Sequence, residues 1–254
     1  MRGFFLETNM NSLCSEYKNI LGDNDFVFLD IGARGGPQKE LKELLNNGII
    51  KIILVEFEEK EASKLKQEKY IVCDKAVWSE STNKKIYSTK NKSRSSLLKP
   101  NNKVLEGSFY YDRNFFEIEK VFSIKTTTVK ELINNFRNHI KQIDFIKIDI
   151  QGAEGHLFQS FDKIIWDDLI GFETELNTTE VYEGSFNIGK LMSEFYSQNF
   201  EIYDSKKKSS MTMTSYIGKN IFSKDYFEAR PNSRFYKGKD LIYDVLFFKK
   251  INKI

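Results

Sequence analysis

The stretch at residues 26–37, FVFLDIGARGGP, constrains the fold more than any other part of the chain. Four apolar residues lead directly into Asp30, and a glycine-rich turn follows one residue later. A buried strand that ends on a carboxylate and breaks into glycines is typical of α/β folds, which bind ligands at the carboxyl ends of their strands. Residues 143–154, IDFIKIDIQGAE, repeat this design with Asp149. The two stretches together predict a ligand site at one edge of a parallel sheet.

The composition limits which classes of protein the chain can belong to. With 254 residues, 40% of them hydrophobic, the chain is long enough for one large domain with a sizeable core. Its 39 basic and 36 acidic residues give a net charge of +3, which is too balanced to indicate binding to DNA. Two distant cysteines without a CxxC pattern predict a reduced, cytoplasmic chain. No apolar run approaches the ~18 residues of a membrane span, and the N-terminus lacks a signal-peptide pattern.

Hydrophobic patterns predict a single domain over residues 1–254. Up to residue 78 the chain alternates between strands and helices, which predicts parallel strands with right-handed crossovers. A helical segment is expected within residues 1–24, an insertion at 79–128 and a long polar connection at 204–240. The predicted strands are Phe26–Ile31, Lys51–Val55, Tyr70–Cys73, Ile143–Ile148, Leu169–Leu176, Phe200–Tyr203 and Leu241–Lys249.

The acidic residues at the strand ends indicate the kind of ligand. A dinucleotide site needs GxGxxG, whereas this turn reads GARGG, and no GxxxxGK[ST] phosphate loop is present. Three carboxylates, Asp30, Glu56 and Asp74, instead lie at the ends of successive strands. Each alone also fits a turn or helix cap, but a row of carboxylates suits an ammonium group and a ribose diol. The row therefore favours S-adenosylmethionine, which carries both groups and a sulfonium but no phosphate.

At these residues the chain resembles the FkbM-type methyltransferases, a branch of the class I S-adenosylmethionine-dependent enzymes. The matching segments occur in family order and cover about residues 24–250. They are FLDIGARGGP, ILVEFEE, CDKAVWSE, SSL at 95–97, IDFIKIDIQGAE, FETEL with VYEG, and YDVLFFK. The resemblance implies a three-layer, Rossmann-like α/β sheet of seven strands with the last strand antiparallel and an insertion after the third strand.

The resemblance also implies a cofactor site. In such enzymes the first strand and its glycine turn hold the methionine moiety, the second-strand acid holds the ribose, and the segment after the third strand flanks adenine. Carried over, the cofactor-binding residues are Asp30, Gly32, Ala33, Arg34, Gly36, Glu56, Phe57, Asp74, Ala76, Val77 and Asp149. Commoner members read GAN where this chain has Ala33-Arg34, and EP where it has Glu56-Phe57. Arg34 therefore either alters the methionine pocket or contacts the substrate.

Methyl transfer to a hydroxyl group needs in-line alignment of the acceptor and removal of a proton. Asp149 is the first candidate for a base or acceptor-orienting group, and Glu173 and His156 are the other catalytic candidates. The candidates for contacting the substrate are Ser95, Ser96, Lys147 and Glu154. Lys147 lies in an apolar strand, so it either pairs with a neighbouring acid or orients the acceptor. Glu154 also fits the stabilisation of a helix start.

The sequence thus predicts methyl transfer to a hydroxyl of a saccharide or another small metabolite. Two other functions stay open: a non-catalytic, methyltransferase-like binding subunit, and an RNA methyltransferase that uses the basic and aromatic residues at 206–234. A divalent cation held by Asp149, Glu154 and Glu173 is a further option, but no tight acidic cluster is present and no metal site is predicted. The sequence does not indicate the acceptor or the oligomeric state.

Overall fold

The structure is a computed structural model that describes residues 26–107, 113–211 and 239–250. The helical segment expected within residues 1–24 and most of the connection expected at 204–240 lie outside the described residues. The strands are Phe26–Ile31 (β1), Ile50–Val55 (β2), Ile71–Cys73 (β3), Ala76–Val77 (β4), Asn83–Thr89 (β5), Ile118–Thr127 (β6), Phe145–Ile148 (β7), Gly171–Asn177 (β8), Phe200–Met211 (β9) and Lys239–Lys249 (β10). The α-helices are Lys39–Asn46 (α1), Glu59–Gln67 (α2), Asn102–Gly107 (α3), Val129–Asn135 (α4), Glu154–Phe158 (α5), Lys163–Asp168 (α6) and Ile188–Ser197 (α7).

Seven of the strands form one sheet in the order β3-β2-β1-β7-β8-β10-β9. β1 is parallel to both β2 and β7, and β2 is parallel to β3, whereas β10 is antiparallel to β9. The predicted seven-stranded α/β sheet with an antiparallel last strand is therefore confirmed. Chain order reverses at β1, because β2 lies on one side of it and β7 on the other. The carboxyl end of β1 is thus a topological switch point, where open α/β sheets bind their ligands.

Local sequence explains where several elements form. β1 and β2 are nearly continuous runs of buried apolar residues, as expected for parallel strands covered on both faces. Helix α4 begins at a capping box, in which the side chains of Thr128 and Glu131 each accept from the other's backbone N–H. Asp162 caps α6 by accepting from Ile165 N at 3.1 Å. Helix α6 was not predicted, because six residues are too few to show a helical period.

The insertion expected at 79–128 contains regular strands. β5 pairs with β6 in antiparallel fashion, and β6 pairs with β4 in parallel, giving a three-stranded sheet. Both β5 and β6 lie within the expected bounds of this insertion. Most side chains of β6 are exposed, so its sequence shows only a partial apolar pattern. Backbone pairing with β5 and β4 holds it as a strand.

Strand β9 is longer than the sequence predicted. It was expected to end at Tyr203 but continues to Met211 through the polar residues DSKKKSSM. This part of the strand pairs with β10, for example at Lys207 opposite Tyr243. Antiparallel pairing is a ladder of backbone hydrogen bonds, so it extends beyond the residues whose alternation reveals a strand.

The chain divides into two compact units, which are described separately. The first unit comprises Met1–Ser81, Thr126–Asp149 and Ser160–Phe172, and the second comprises Thr82–Lys125, Ile150–Gln159 and Glu173–Ile254. The first contains β1, β2, β3 and β7, and its buried side chains are mostly aliphatic, with Phe28 stacked on Phe145. In the second, Phe195 packs edge-on against Phe158 and Phe247, with ring centroids 4.7 and 4.9 Å apart. The prediction of a single domain stays a prediction.

Candidate functional site

Four parallel strands of the first unit end side by side, and hydrogen bonding between them continues past the strands. Gly32 N donates to Val55 O at 3.1 Å, and Asp149 N donates to Ile31 O at 2.9 Å. The backbone N–H of Glu56 donates in the same way to the end of β3, at 3.0 Å. The ladder therefore brings together the predicted residues at the ends of β1, β2 and β7.

The glycine turn after β1 passes directly against the end of β7. Gly32 has a φ of +90°, and a Cβ at this position would lie 2.1 Å from Asp149 O. Gly36 also has a positive φ, and a Cβ there would lie 3.1 Å from the side chain of Leu65. Gly35 has a φ of +82° but open space around it. Steric contact thus requires glycine at position 32, whereas position 35 needs it only for its backbone conformation.

Asp30 is a buried carboxylate held by an ion pair. Its side chain accepts a hydrogen bond from Lys147 Nζ at Oδ1, at 2.9 Å, and the residue is 3% exposed. Among the described residues Oδ2 has no hydrogen-bond partner. Of the two roles left open for Lys147, pairing with a neighbouring acid is the one observed. A buried ion pair fixes the position of both groups, because separating them would leave a buried charge uncompensated.

Glu56 is a second buried carboxylate, 5% exposed, at the end of β2. Its Oε1 accepts from Glu58 N at 2.8 Å, while Oε2 has no hydrogen-bond partner among the described residues. Burial raises the pKa of this carboxyl, and the Glu58 hydrogen bond and the charge of Arg34 lower it by less. Glu56 therefore offers a fixed acceptor oxygen, and a hydrogen-bond donor on a ligand would favour its charged form.

The third acid of the predicted row has a different environment. The side chain of Asp74 is 54% exposed and accepts from Lys66 Nζ at 2.5 Å, a hydrogen bond that lowers the pKa of the carboxyl. Ala76 and Val77 are buried in β4, and Phe57, predicted beside the ribose with Glu56, is partly buried after β2. The roles predicted for Asp74, Ala76 and Val77 beside adenine and for Phe57 beside the ribose stay predictions.

The chemistry of the strand ends fits the cofactor predicted from the sequence. Asp30 and Glu56 each hold one oxygen in a hydrogen bond within the protein and present a second oxygen without a described partner. Such oxygens suit the ammonium and hydroxyl groups of S-adenosylmethionine, whereas a phosphate would be repelled by both carboxylates. Gly32 adds a turn with no side chain against which a ligand would clash.

Three predicted substrate residues, in the second unit, have local structural partners. Glu154 is buried and accepts from Ile150 N at 3.0 Å, which fastens the turn before α5. Ser95 Oγ accepts from a backbone N–H of β5 at 3.1 Å, and Ser96 Oγ accepts from Leu98 N at 3.0 Å. These contacts shape the loops that carry the three side chains. Their proposed contact with substrate stays a prediction.

His156 has the properties of a neutral base. Its Nε2 lies 2.9 Å from Gly184 O, and its ring packs against Phe186 with centroids 4.7 Å apart. A carbonyl oxygen only accepts, so Nε2 carries the hydrogen and Nδ1 is the basic nitrogen. Burial lowers the pKa of His156, which keeps the ring neutral at neutral pH. Glu173 lies partly buried in β8, and the catalytic roles of both residues stay predictions.

The remaining alternatives gain little from the structure. No three His, Cys, Asp or Glu side chains gather as metal ligands within residues 26–107, 113–211 and 239–250, so the cation option lacks geometric support. Most of the segment expected to contact RNA, at 206–234, lies outside the described residues. In the part of the chain that is described, no helix is long and apolar enough to cross a bilayer.

Two groups of residues were missed by the sequence analysis. Gln151 and Tyr182 lie in matched motifs but had no assigned role, and both contact Arg94 although they are 57 and 88 residues from it. Contacts at such separations leave no local sequence pattern. The second group consists of buried polar atoms without a hydrogen-bond partner among the described residues: Thr174 Oγ1, Asn177 Oδ1, Thr179 Oγ1 and Ser185 Oγ.

Comparison with known proteins gives one family match. Residues 30–202 match the family model of the methyltransferase FkbM domain. The plantazolicin methyltransferase BpumL, in complex with a monoazolic desmethylPZN analog and SAH, is 12% identical, with 95% of this chain and 82% of that chain covered and a TM-score of 0.40. No match was found among curated proteins.

Two other solved structures are similar at the same low level. A putative S-adenosylmethionine-dependent methyltransferase from Listeria monocytogenes is 10% identical, with 93% of this chain and 97% of that chain covered and a TM-score of 0.40. Precorrin-6y C5,15-methyltransferase from Geobacter metallireducens is 10% identical, with 98% and 92% covered and a TM-score of 0.37. Because these TM-scores are below 0.5, the family match alone carries weight for function.

Proposed function

Because this chain belongs to the FkbM methyltransferase family, we propose that it methylates a hydroxyl group of a saccharide or another small metabolite. Its cofactor is S-adenosylmethionine, whose sulfonium supplies an electrophilic methyl group. The observation that carries the proposal is the pair of buried carboxylates, Asp30 and Glu56, at the topological switch point of the sheet.

We assign the cofactor to the strand ends of the first unit. Glu56 accepts hydrogen bonds from the ribose through Oε2, and Asp30, oriented by Lys147, accepts from the ammonium group of the methionine moiety. The other residues of the assigned site are Gly32, Ala33, Arg34 and Gly36 for methionine, Phe57 for the ribose, and Asp74, Ala76 and Val77 for adenine. Both carboxylates are held in place before the cofactor binds, so little conformational entropy is lost in orienting them. This makes cofactor binding more favourable.

Asp149 is the residue that we assign to the acceptor hydroxyl. It follows β7 and contacts the Gly32 turn through its backbone, so its position is tied to the assigned methionine site. A carboxylate within hydrogen-bond distance of a hydroxyl orients it and takes up its proton as the new O–C bond forms. The in-line geometry of the displacement makes orientation as important as proton transfer.

The buried polar atoms in β8 and in the segment after it support an acceptor rich in hydroxyl groups. Thr174, Asn177, Thr179 and Ser185 each bury an oxygen that has no hydrogen-bond partner among the described residues. Leaving such atoms unpaired is costly, and native proteins nearly always satisfy them with water or a ligand. Saccharide hydroxyls both donate and accept, so they suit hydroxyl and amide oxygens.

Isothermal titration with S-adenosylhomocysteine, followed by a methyl-transfer assay with a saccharide panel, tests the proposal. We expect one binding site in the unsubstituted protein and weaker binding in Glu56→Gln, with Glu59→Gln as the exposed control on the adjacent helix. A folded protein that does not bind at about 1 mM ligand, a very weak affinity, would refute the cofactor site. Binding without transfer to any hydroxyl acceptor would instead favour the non-catalytic subunit.

A further inference from the structure

We propose that Arg94 is the centre of a binding site for a small oxyanion, a carboxylate or phosphate group, within the second unit. The site is distinct from the cofactor residues assigned above and stands on its own contacts. The basis of the proposal is charge compensation. The neighbouring basic side chains Lys90 and Lys92 have carboxylate partners, whereas Arg94 has none among the described residues.

Gln151 hydrogen-bonds to the guanidinium of Arg94, and Tyr182 hydrogen-bonds to both Gln151 and the backbone of Arg94. Arg94 Nη1 donates to Gln151 Oε1 at 3.1 Å. The hydroxyl of Tyr182 donates to Arg94 O at 2.9 Å and lies 3.2 Å from Gln151 Oε1. Tyr182 is 2% exposed and Gln151 is 7% exposed, so the partners that fix Arg94 are themselves rigidly packed. The guanidinium also lies over the ring of Phe116, 5.7 Å from its centroid.

Charge pairing in the same loop sets Arg94 apart. Lys90 pairs with Glu117 at 2.8 Å, and Lys92 pairs with Glu119. The guanidinium of Arg94, two residues further on, contacts only the amide oxygen of Gln151 and the ring of Phe116 among the described residues. A partly buried cation without a counter-ion is unfavourable, because it loses hydration without gaining an opposite charge. An anionic ligand would remove this cost.

The backbone beside Arg94 is also held in an uncommon conformation. Gln151 has a φ of +58°, and Gly152 has a φ of +92°. A Cβ added at Gly152 would lie only 2.7 Å from Tyr182 Cδ2, so there is no room for a side chain. Positive φ at a residue such as glutamine costs about 1 kcal/mol and persists where the surroundings fix it. The conformation keeps a neutral amide against Arg94, whereas a glutamate there would neutralise the guanidinium.

The chemistry of the site favours an oxyanion over other ligands. A guanidinium presents several N–H donors in one plane and binds carboxylate and phosphate oxygens in bidentate fashion. Gln151 uses a single Arg94 nitrogen, so other N–H groups of the fork remain for a ligand. A carboxylate-bearing metabolite and a phosphate ester present the same oxyanion chemistry to this fork.

Titration of the full chain followed by arginine Nε–Hε NMR resonances tests the site at 0.15 M salt. Inorganic phosphate and malonate serve as separate probes, which distinguish the tetrahedral from the planar anion. We expect one arginine resonance to shift saturably with at least one probe and to be absent in Arg94→Gln. Gln151→Glu is isosteric and places a carboxylate on the guanidinium, so it should weaken binding by about tenfold or more.

Arg137→Gln is the matched control, because Arg137 also bonds a neutral amide, Asn134 Oδ1 at 2.7 Å, but is exposed. Its substitution should leave the saturable shift unchanged. The proposal is refuted if neither probe shifts any arginine resonance saturably, or if binding persists unchanged in Gln151→Glu. The Gln151→Glu arm remains decisive if Arg94→Gln does not fold. S-adenosylhomocysteine titration of the same samples reports the cofactor site separately.

Discussion

At the scale of single residues, the ion pair of Lys147 and Asp30 ties stability to the proposed cofactor site. Lys147→Met removes the cation and leaves the buried Asp30 carboxylate uncompensated. We expect the free energy of unfolding in urea to fall by about 3–5 kcal/mol, and to recover in part when Asp30→Asn is added. Lys163→Met breaks an exposed pair with Asp167 and should leave stability unchanged. Equal losses in both single variants would contradict a buried pair.

The raised pKa of Glu56 makes its charge sensitive to pH. Between its ordinary pKa of 4.5 and the higher folded value, the folded protein binds more protons than the unfolded chain. The contribution of Glu56 to the free energy of unfolding therefore becomes less favourable as pH rises through that window. The difference in free energy of unfolding between Glu56→Gln and the unsubstituted protein should therefore favour the variant more at neutral pH than at pH 4.5. Urea denaturation of both proteins at each pH measures this difference.

The cofactor binding that we propose for Glu56 should follow the opposite trend with pH. A carboxylate is the better acceptor for a ribose hydroxyl, so affinity for S-adenosylhomocysteine should fall as pH drops through the raised pKa. We expect Glu56→Gln to lose about 1.5–3 kcal/mol of binding and to lose this pH dependence. Arg34→Asn removes a charge that lowers the Glu56 pKa and should move the transition to higher pH.

Substitution of Thr174 tests its proposed role in acceptor binding. It is 1% exposed and its Oγ1 has no hydrogen-bond partner among the described residues, so Thr174→Val should change stability little. Thr126 is equally buried, but its Oγ1 donates to Glu80 O at 2.7 Å, and Thr126→Val should cost about 1–3 kcal/mol. With a saccharide acceptor, Thr174→Val should raise KM. An unchanged KM would remove Thr174 from acceptor binding.

At the scale of elements, the turn after β1 should be the least tolerant part of the assigned cofactor site. A Cβ at Gly32 would meet the backbone of Asp149, directly after β7, which cannot move aside as a flexible side chain can. We expect Gly32→Ala to abolish binding of S-adenosylhomocysteine and to lower the melting temperature. Gly35→Ala, in the same turn with open space, should cost only about 1–2 kcal/mol for its positive φ. Equal effects of both would show that conformation alone sets the requirement.

Sequence reasoning succeeded for elements whose burial is visible in their residues. β1 was predicted with its observed bounds, because Val27 to Ile31 are buried on both faces and apolar apart from Asp30. It failed for the outer half of β9, where backbone pairing with β10 orders polar residues. In the candidate site, the sequence indicated the acids at the strand ends. It did not indicate the pairing of Lys147 with Asp30, because that contact requires β7 to lie beside β1. Arg94, Gln151 and Tyr182 meet only through the tertiary fold.

At the scale of the whole molecule, the predicted roles divide as the chain does. Every residue predicted to bind the cofactor lies in the first unit. Apart from Lys147 and Asp149, the residues predicted to act on the acceptor lie in the second. The first unit is built from three separate segments of the chain. The fold therefore groups residues that are distant in the sequence but share a predicted role. This grouping predicts that the two kinds of ligand order different parts of the chain.

Hydrogen exchange with S-adenosylhomocysteine tests that division. A ligand that binds only the folded state at about 100 times its Kd stabilises it by about 2.7 kcal/mol, and its direct contacts protect local amides further. We expect slower exchange in peptides covering 30–36 and 55–57, and no added local protection at 94–101. Glu56→Gln should remove the effect at equal ligand concentration. Protection that begins at 94–101 and spares the turn after β1 would place the cofactor in the second unit and overturn the assignment.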